Sequence, residues 1–278
     1  MNYARLPDVR NEVNGNGSTS QDGDILRAIA AASDFARELT GRIFHTEVAT
    51  ALFHGNGKEC LRLGSYAAEP WRNSLVSVTT LKVDDNNDGV FELTLTEDTD
   101  YWLGTDNPGT GDRPAESIEI VTGRNTAPQI YTWPKRRRVI EIVGKWGYSE
   151  ITEAVVVGGT AVTGTLSSAS DLTLVLTLDP GDKVAPGDSL FMGSEEMGPV
   201  LDVSGTTVTL QARGINGTTA ATQTAVAVLV RRYPDYLSRA VRADAARYLW
   251  RAAQGMPDST DWPMIRDTLH NYRVPVLA

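Results

Sequence analysis

Apolar side chains recur at helical spacing in DILRAIAAASDFARELTGR, residues 24–42. Leu26, Ile29, Ala32 or Ser33, Ala36 and Leu39 fall near one stripe, which Ile25 and Phe35 widen, so the spacing predicts an amphipathic helix stopped by Gly41. The period then shortens to two. Alternation of apolar and polar positions predicts strands near 45–53, 59–63, 75–83, 91–95, 101–103, 117–121 and 139–145, parted by loops such as HGNGKE and GTDNPGTGDRP. From 153 the composition turns to Val, Thr, Gly and Ala, with Phe191 the only aromatic residue between Tyr148 and Tyr233. AVTGTLSS, LTLVLTLD, DSLFMG, GPVLDVSG, TTVTLQA and AVAVLV predict further short strands with turns between them. Helical spacing returns in YPDYLSRAVRADAARYLWRAAQG, where Pro234 suits the first turn and Gly255 the end. A last short helix is expected after the cap Asp261, carrying Trp262, Ile265, Leu269 and Tyr272.

These elements predict an α+β fold: helices packed on an antiparallel β core, with an inserted all-β barrel or sandwich. The expected organisation is a flexible arm at 1–23, rich in Asn, Gly and Ser, then a helix-plus-β core at 24–152, an inserted β domain at 153–230, and helices and tail at 231–278 that complete the core.

VDDNNDGVFEL, residues 83–93, raises the question of a metal. Asp84, Asn86 and Asp88 stand at the first, third and fifth places of a calcium loop, Gly89 at the sixth and Glu92 at the ninth. The twelfth place, where a carboxylate must close such a site, is Leu95, and the flanks alternate as strands. A hairpin tip accounts for the Asp, Asn and Gly equally well, so the expectation is a turn with no metal.

Composition narrows the function classes. The 26 Lys and Arg against 35 Asp and Glu leave a net charge of −9, which argues against a protein whose main task is gripping phosphates. The basic run PKRRR stands apart, and Lys135, Arg136, Arg137 and Arg138 are candidates for contact with DNA or an acidic partner. Cys60 is the single cysteine, so no intramolecular disulfide forms. No stretch approaches the roughly 20 apolar residues of a membrane span and no apolar secretory core opens the chain, which predicts a soluble protein without a membrane partner.

Catalytic motifs are sparse. His45, His54 and His270 are the only histidines, and none sits in a zinc or hydrolase pattern. His54 and Cys60 are close in sequence, yet the expected state is a turn histidine and a strand thiol. The carboxylate pairs Glu195 with Glu196 and Asp98 with Asp100 are compatible with a hydrolase or with a solvated surface. No enzyme and no cofactor is expected. A glycan-binding β module anchored by helices is the other class, weakened by the lack of Trp and Tyr within it.

A helix ending ELTGRIF, the hairpin VTTLKVDDNNDGVFELTLTEDTDYWL, the strand-turn pair SIEIVTG, the closing strand RVIEIVGKWGY and the Ala-rich RAVRADAARYLW resemble, in that order, the head-to-tail adaptor (connector) proteins of long-tailed bacteriophages. The resemblance covers residues 24–148 and 233–255. Residues 153–230 depart from it, and their GDSLFMG and RGINGT words look like small β modules of phage structural proteins. The resemblance implies a virion protein of the neck, assembled in the host cytoplasm into a ring of about twelve copies of itself. Its implied partners are the portal protein, the tail-proximal neck or stopper protein, and genome DNA passing without specific binding; a stopper role is the alternative within the same class. Trp262, Ile265, Leu269, Val276 and Leu277 are the candidate anchors for the portal or neck partner, with packing on their own subunit as the competing expectation.

Overall fold

The computed structural model describes residues 2–14, 19–66, 73–104, 114–122, 129–148, 151–254 and 262–269. The fold is mixed α+β, and the ladders between its strands are antiparallel. In chain order the elements begin with α1 (Leu6–Asn14), α2 (Asp22–Thr40), β1 (Glu47–Phe53), β2 (Cys60–Arg62) and a single helical turn α3 (Leu63–Tyr66). Strands β3 (Leu75–Val83), β4 (Leu93–Leu95), β5 (Tyr101–Gly104), β6 (Ser117–Ile120) and β7 (Ile140–Trp146) follow. Next come β8 (Thr152–Ala154), β9 (Val156–Val157), β10 (Thr160–Ala161), β11 (Thr163–Leu166) and β12 (Thr173–Leu176). The chain continues through β13 (Leu190–Met192), β14 (Glu195–Met197), β15 (Val200–Ser204), β16 (Thr207–Leu210) and β17 (Gln223–Arg231) to α4 (Asp235–Ala253) and α5 (Pro263–Leu269).

Two compact units divide the chain. One is built on Gly41–Ser149 and has two antiparallel sheets, ordered β1-β7-β3-β4 and β2-β6-β5. Along β7 the side chains alternate inward and outward, so Ile140, Ile142 and Trp146 reach the core while Glu141 and Lys145 do not. Trp146 stacks on Phe53 at 5.5 Å between ring centres and donates its indole N–H to the Ala49 carbonyl at 3.0 Å. Trp133, also fully buried, donates to the Glu59 carbonyl at 2.9 Å and so fixes the loop ahead of β7. At Gly144 a Cβ would stand 2.4 Å from the Ser77 carbonyl oxygen, so glycine is required where β3 and β7 approach.

The other unit holds Met1–Thr40 and Glu150–Tyr272. Its β module is an eight-stranded sheet ordered β14-β13-β17-β11-β12-β16-β15, with β8 added on β17. The terminal strands β14 and β15 are consecutive in the chain, so the sheet comes close to closing as a barrel around Leu166, Leu174, Leu190, Val208 and Val230. Its helical part is held by α2, in which Ile25, Ile29, Ala32, Ser33 and Ala36 of the expected stripe are buried while Leu26, Phe35 and Leu39 are only half-buried and Ala28 joins the buried face, with Gly41 at φ +66° just past its end. That stripe is covered by α1, α4 and α5. The helices of 231–278, expected to complete a core at 24–152, therefore group instead, together with α2, with residues 150–231. An apolar stripe specifies that it must be covered, not by what.

The arm expected at 1–23 is corrected over its described part. Residues 6–14 form α1, and Tyr3, Leu6 and Val9 are buried. Tyr3 donates its backbone N–H to Ser33 Oγ at 2.9 Å and meets the Tyr233 ring edge-on at 4.8 Å. Arg10 pairs with Asp22 at 2.6 Å. The Asn and Gly that suggest an arm are concentrated after residue 10, and they mask the helical spacing of Leu6, Val9 and Val13. Leu6→Ala should destabilise the protein by about 2–5 kcal/mol in a denaturant titration, whereas a mobile arm would leave the transition where it was.

Candidate functional site

Trp262, Ile265 and Leu269 are buried in their own chain, so none of them is offered to a partner. Asp244, itself buried on α4, accepts from the backbone N–H of Met264 at 3.3 Å and of Ile265 at 2.8 Å, which caps the first turn of α5 from outside it. Trp262 stacks on Tyr248 of α4 at 5.6 Å and lies 6.5 Å from the Phe35 ring of α2. The expectation of partner anchors is corrected at these three positions: their apolar surface fills the gap between α2 and α4. Val276 and Leu277 lie outside the described residues, as does Asp261.

Lys135, Arg136, Arg137 and Arg138 are exposed together, just ahead of β7 in the unit of 41–149. Their loop has a rigid base. Gly55 N–H donates to the Arg136 carbonyl and Gly57 N–H to the Trp133 carbonyl, both at 2.9 Å, and a Cβ on Gly55 would collide with the Pro134 carbonyl oxygen. The Arg138 N–H donates to His54 Nδ1 at 2.9 Å, with Arg138 held at φ +55°. Arg136 Nη1 reaches the Asp85 carbonyl at 3.1 Å, so the cationic loop stands beside the tip between β3 and β4.

That tip is a turn. Val83 faces Leu93 across the β3–β4 ladder, and Leu95, at the place where a calcium loop needs its closing carboxylate, is buried in the core. Oxygens of Asp84, Asp88 and Glu92 do lie within 4.8 Å of one another. Each is already an acceptor, however. Asp84 takes the N–H groups of Asn87 and Gly89, Asp88 takes Val90 N–H and Asn86 Nδ2, and Glu92 takes Asn86 Nδ2 and Asp85 N–H. These bonds close the turn and leave the residues a poor fit for a resident calcium ion.

The groups that sequence suggested for catalysis have structural employment. Asp100 is buried and accepts from Thr96 N–H at 2.8 Å and Gln129 N–H at 2.9 Å, while Asp98 occupies the turn before it at φ +65°. His54 Nδ1 is spent on Arg138. Burial, followed by the charge of Glu119, pushes the Cys60 thiol above its ordinary value, which is opposite to what a nucleophile requires.

Glu195 and Glu196 are the largest departure from expectation, since a solvated surface or a catalytic pair would leave them accessible and both are buried. Adjacent residues on β14 point to opposite faces, and each finds an arginine there. Arg213 donates Nε to Glu195 Oε1 at 2.5 Å and Nη2 to Oε2 at 2.7 Å, and its remaining N–H groups go to the carbonyls of Ser168, Asp171 and Ala221. Glu195 also accepts from the N–H of Gly214 and Ala221 and from Gln223 Nε2. Arg231 donates to Glu196 at 2.8 and 2.6 Å and lies 4.8 Å above the Phe191 ring. The RGINGT turn thus folds around a carboxylate, with Gly214, Asn216 and Gly217 in the left-handed region to make the bend. Two acidic neighbours in a strand with an Arg eighteen residues on carry no periodic signal, so pairing was invisible in the sequence.

No family model, no curated protein and no solved structure matches this chain.

Burial alone would raise the Glu195 pKa, but the Arg213 hydrogen bonds, the Ala221 N–H and the Arg213 charge outweigh it and hold the carboxyl below its ordinary value. A depressed folded value means stability that is present above the unfolded pKa and is lost as pH falls through the folded one. The β module should therefore soften below about pH 4, and Glu195→Gln should both cost about 3–5 kcal/mol at neutral pH and flatten that acid limb in thermal melts. For Cys60, alkylation by iodoacetamide at pH 8 should run well below the rate of free glutathione; an equal or faster rate would restore it as a nucleophile.

Proposed function

We propose that the protein is a structural subunit of a phage neck, an adaptor that closes into a ring of about twelve copies under the portal and joins it to the next tail-proximal protein. The observation that carries this is the ladder between β8 and β17, in which Thr152 faces Arg231 and Ala154 faces Leu229. It sets the two ends of residues 153–230 side by side, so a module can interrupt an older chain order without changing it. With the module set aside, α2, the β3–β4 hairpin, β6, β7 and α4 still follow one another along the chain in the order that resembles adaptor proteins.

Other features agree. The net charge of −9 suits a passage that DNA slides through without being gripped. The exposed loop of Lys135 to Arg138 supplies a local cationic contact for an acidic neighbour or for the passing duplex. The glycan-binding alternative is weakened, since Phe191, the aromatic residue of the module, has the guanidinium of Arg231 4.8 Å over its ring.

Native mass spectrometry and negative-stain microscopy of the purified chain, alone and with its portal, test the assignment. A closed ring near twelve copies, or one formed only on the portal, is the expected outcome. A monomer that ignores the portal would sink it.

A further inference from the structure

A cleft of about 820 Å³ opens between the N-terminal segment, the two strands that enter and leave the β module, and the first turns of α4. Six cations line it: Arg5, Lys183, Arg231, Arg232, Arg239 and Arg242, against the four carboxylates Asp8, Glu153, Asp188 and Asp235. In a chain where acids outnumber bases, this is a local inversion. All of these residues belong to one compact unit.

Two of the arginines serve the fold. Arg231 is buried against Glu196, and Arg5 is clamped on the buried Asp188, with Arg5 Nη2 also donating to the carbonyls of Asp182 and Lys183. The others are held loosely. Arg232 pairs through Nε with Glu153 at 2.7 Å, but that carboxylate is 56% exposed. Arg239 lies 3.6 Å from Asp235 with both largely in water, and Arg242 Nε is 2.8 Å from Glu12, out of line for a hydrogen bond. Lys183 is exposed, and its ammonium bonds to nothing among the described residues. Arg5 and Arg232 each use Nε and one Nη, which leaves Arg5 Nη1 and Arg232 Nη2 without an acceptor in the described chain.

The chain itself shows what the cleft attracts. The Glu153 carboxylate is depressed first by its bond to Arg232 and then, against burial, by the charges of Arg232, Lys183 and Arg5, so three cations act on one exposed anion. The amino end of α4 adds to this potential. Its cap residue is Pro234, which offers no side-chain acceptor to the first-turn N–H groups.

We infer that this cleft is a binding site for a phosphate group, taken up by Lys183, Arg232, Arg239 and Arg242 in place of the Glu153 carboxylate. Magnitudes decide the exchange. An exposed ion pair is worth about 0–1 kcal/mol, so releasing Glu153 or Glu12 to water is cheap. A phosphate brings up to two charges and three acceptor oxygens, and arginine forks match those oxygens two at a time. Asp8 and Asp235 oppose the ligand, but both are exposed, so the high dielectric of water weakens their repulsion. The terminal phosphate of a free polyphosphate and the singly charged phosphodiester of a nucleic-acid backbone share the paired non-bridging oxygens that an arginine fork matches. The site does not depend on the neck assignment, and it stands or falls separately.

The full chain would be titrated calorimetrically at low ionic strength with tripolyphosphate and, in a second arm, with a short DNA duplex. Binding should weaken steeply with added salt, fall roughly tenfold in Lys183→Ala and in Arg232→Gln, and tighten about three- to fivefold in Glu153→Gln. Lys183 makes no side-chain bond, so its variant should melt like the parent and separates loss of binding from loss of fold. Binding of tripolyphosphate alone assigns the site to a free ligand; matching variant effects on the duplex assign it to a nucleic-acid backbone. Absence of binding in both arms to the parent and to Glu153→Gln overturns the inference. Binding that the Lys183 and Arg232 variants leave unchanged overturns it equally.

Discussion

Strand β17 carries the constraint on which the larger unit depends, because it must bring the chain back beside the place where it left. It pairs with β8, β11 and β13, and its last residue, Arg231, is the partner of the buried Glu196. Three ladders and one ion pair thus converge on a single strand. Helix α4 begins at Asp235, and so the start of the helical layer is tied to the end of the β module. Moving the β17 register by one residue would turn Val228 and Val230 out of the core and strand Glu196 without its cation.

The two buried glutamates show a polar solution to a small-core problem. Desolvating a carboxylate costs several kcal/mol, and a single bond would not offset it. Here each carboxylate has a two-point arginine, and Glu195 collects backbone N–H groups as well. Apolar residues of equal volume could hold the barrel as firmly, but they would not direct Ser168, Asp171, Gly214 and Ala221 to one point. The gain is in geometry: one arginine ties two loops together by their carbonyls.

Each unit displays charge differently. In the unit of 41–149, an acidic turn and a cationic loop stand side by side on rigid strands, with the Trp133 indole beneath the loop. In the other, cations gather in a cleft whose acidic partners, Asp188 apart, are half or more in water. The cationic loop of 135–138, on its rigid base, costs little conformational entropy when a partner arrives.

Periodicity in the sequence was enough to determine α2, α4, the strands of 41–149 and the change of character at 153, because each depends on neighbours three, four or two residues away. Leu95 in place of a carboxylate was enough to make 83–93 a turn. The partners of those elements were decided only by the tertiary structure. The stripe of α2 says nothing about α1 or α5, Trp262 and Ile265 look the same whether they fill a core or an interface, and Asp244 gives no sign that it caps a helix twenty residues on. Glu195 and Glu196 read as a catalytic pair or as surface because their cations come from a distant turn, Arg213, and a distant strand, Arg231. Local spacing fixes what must be buried or bent, while long-range pairing of charge and apolar surface depends on loop paths that no short pattern encodes.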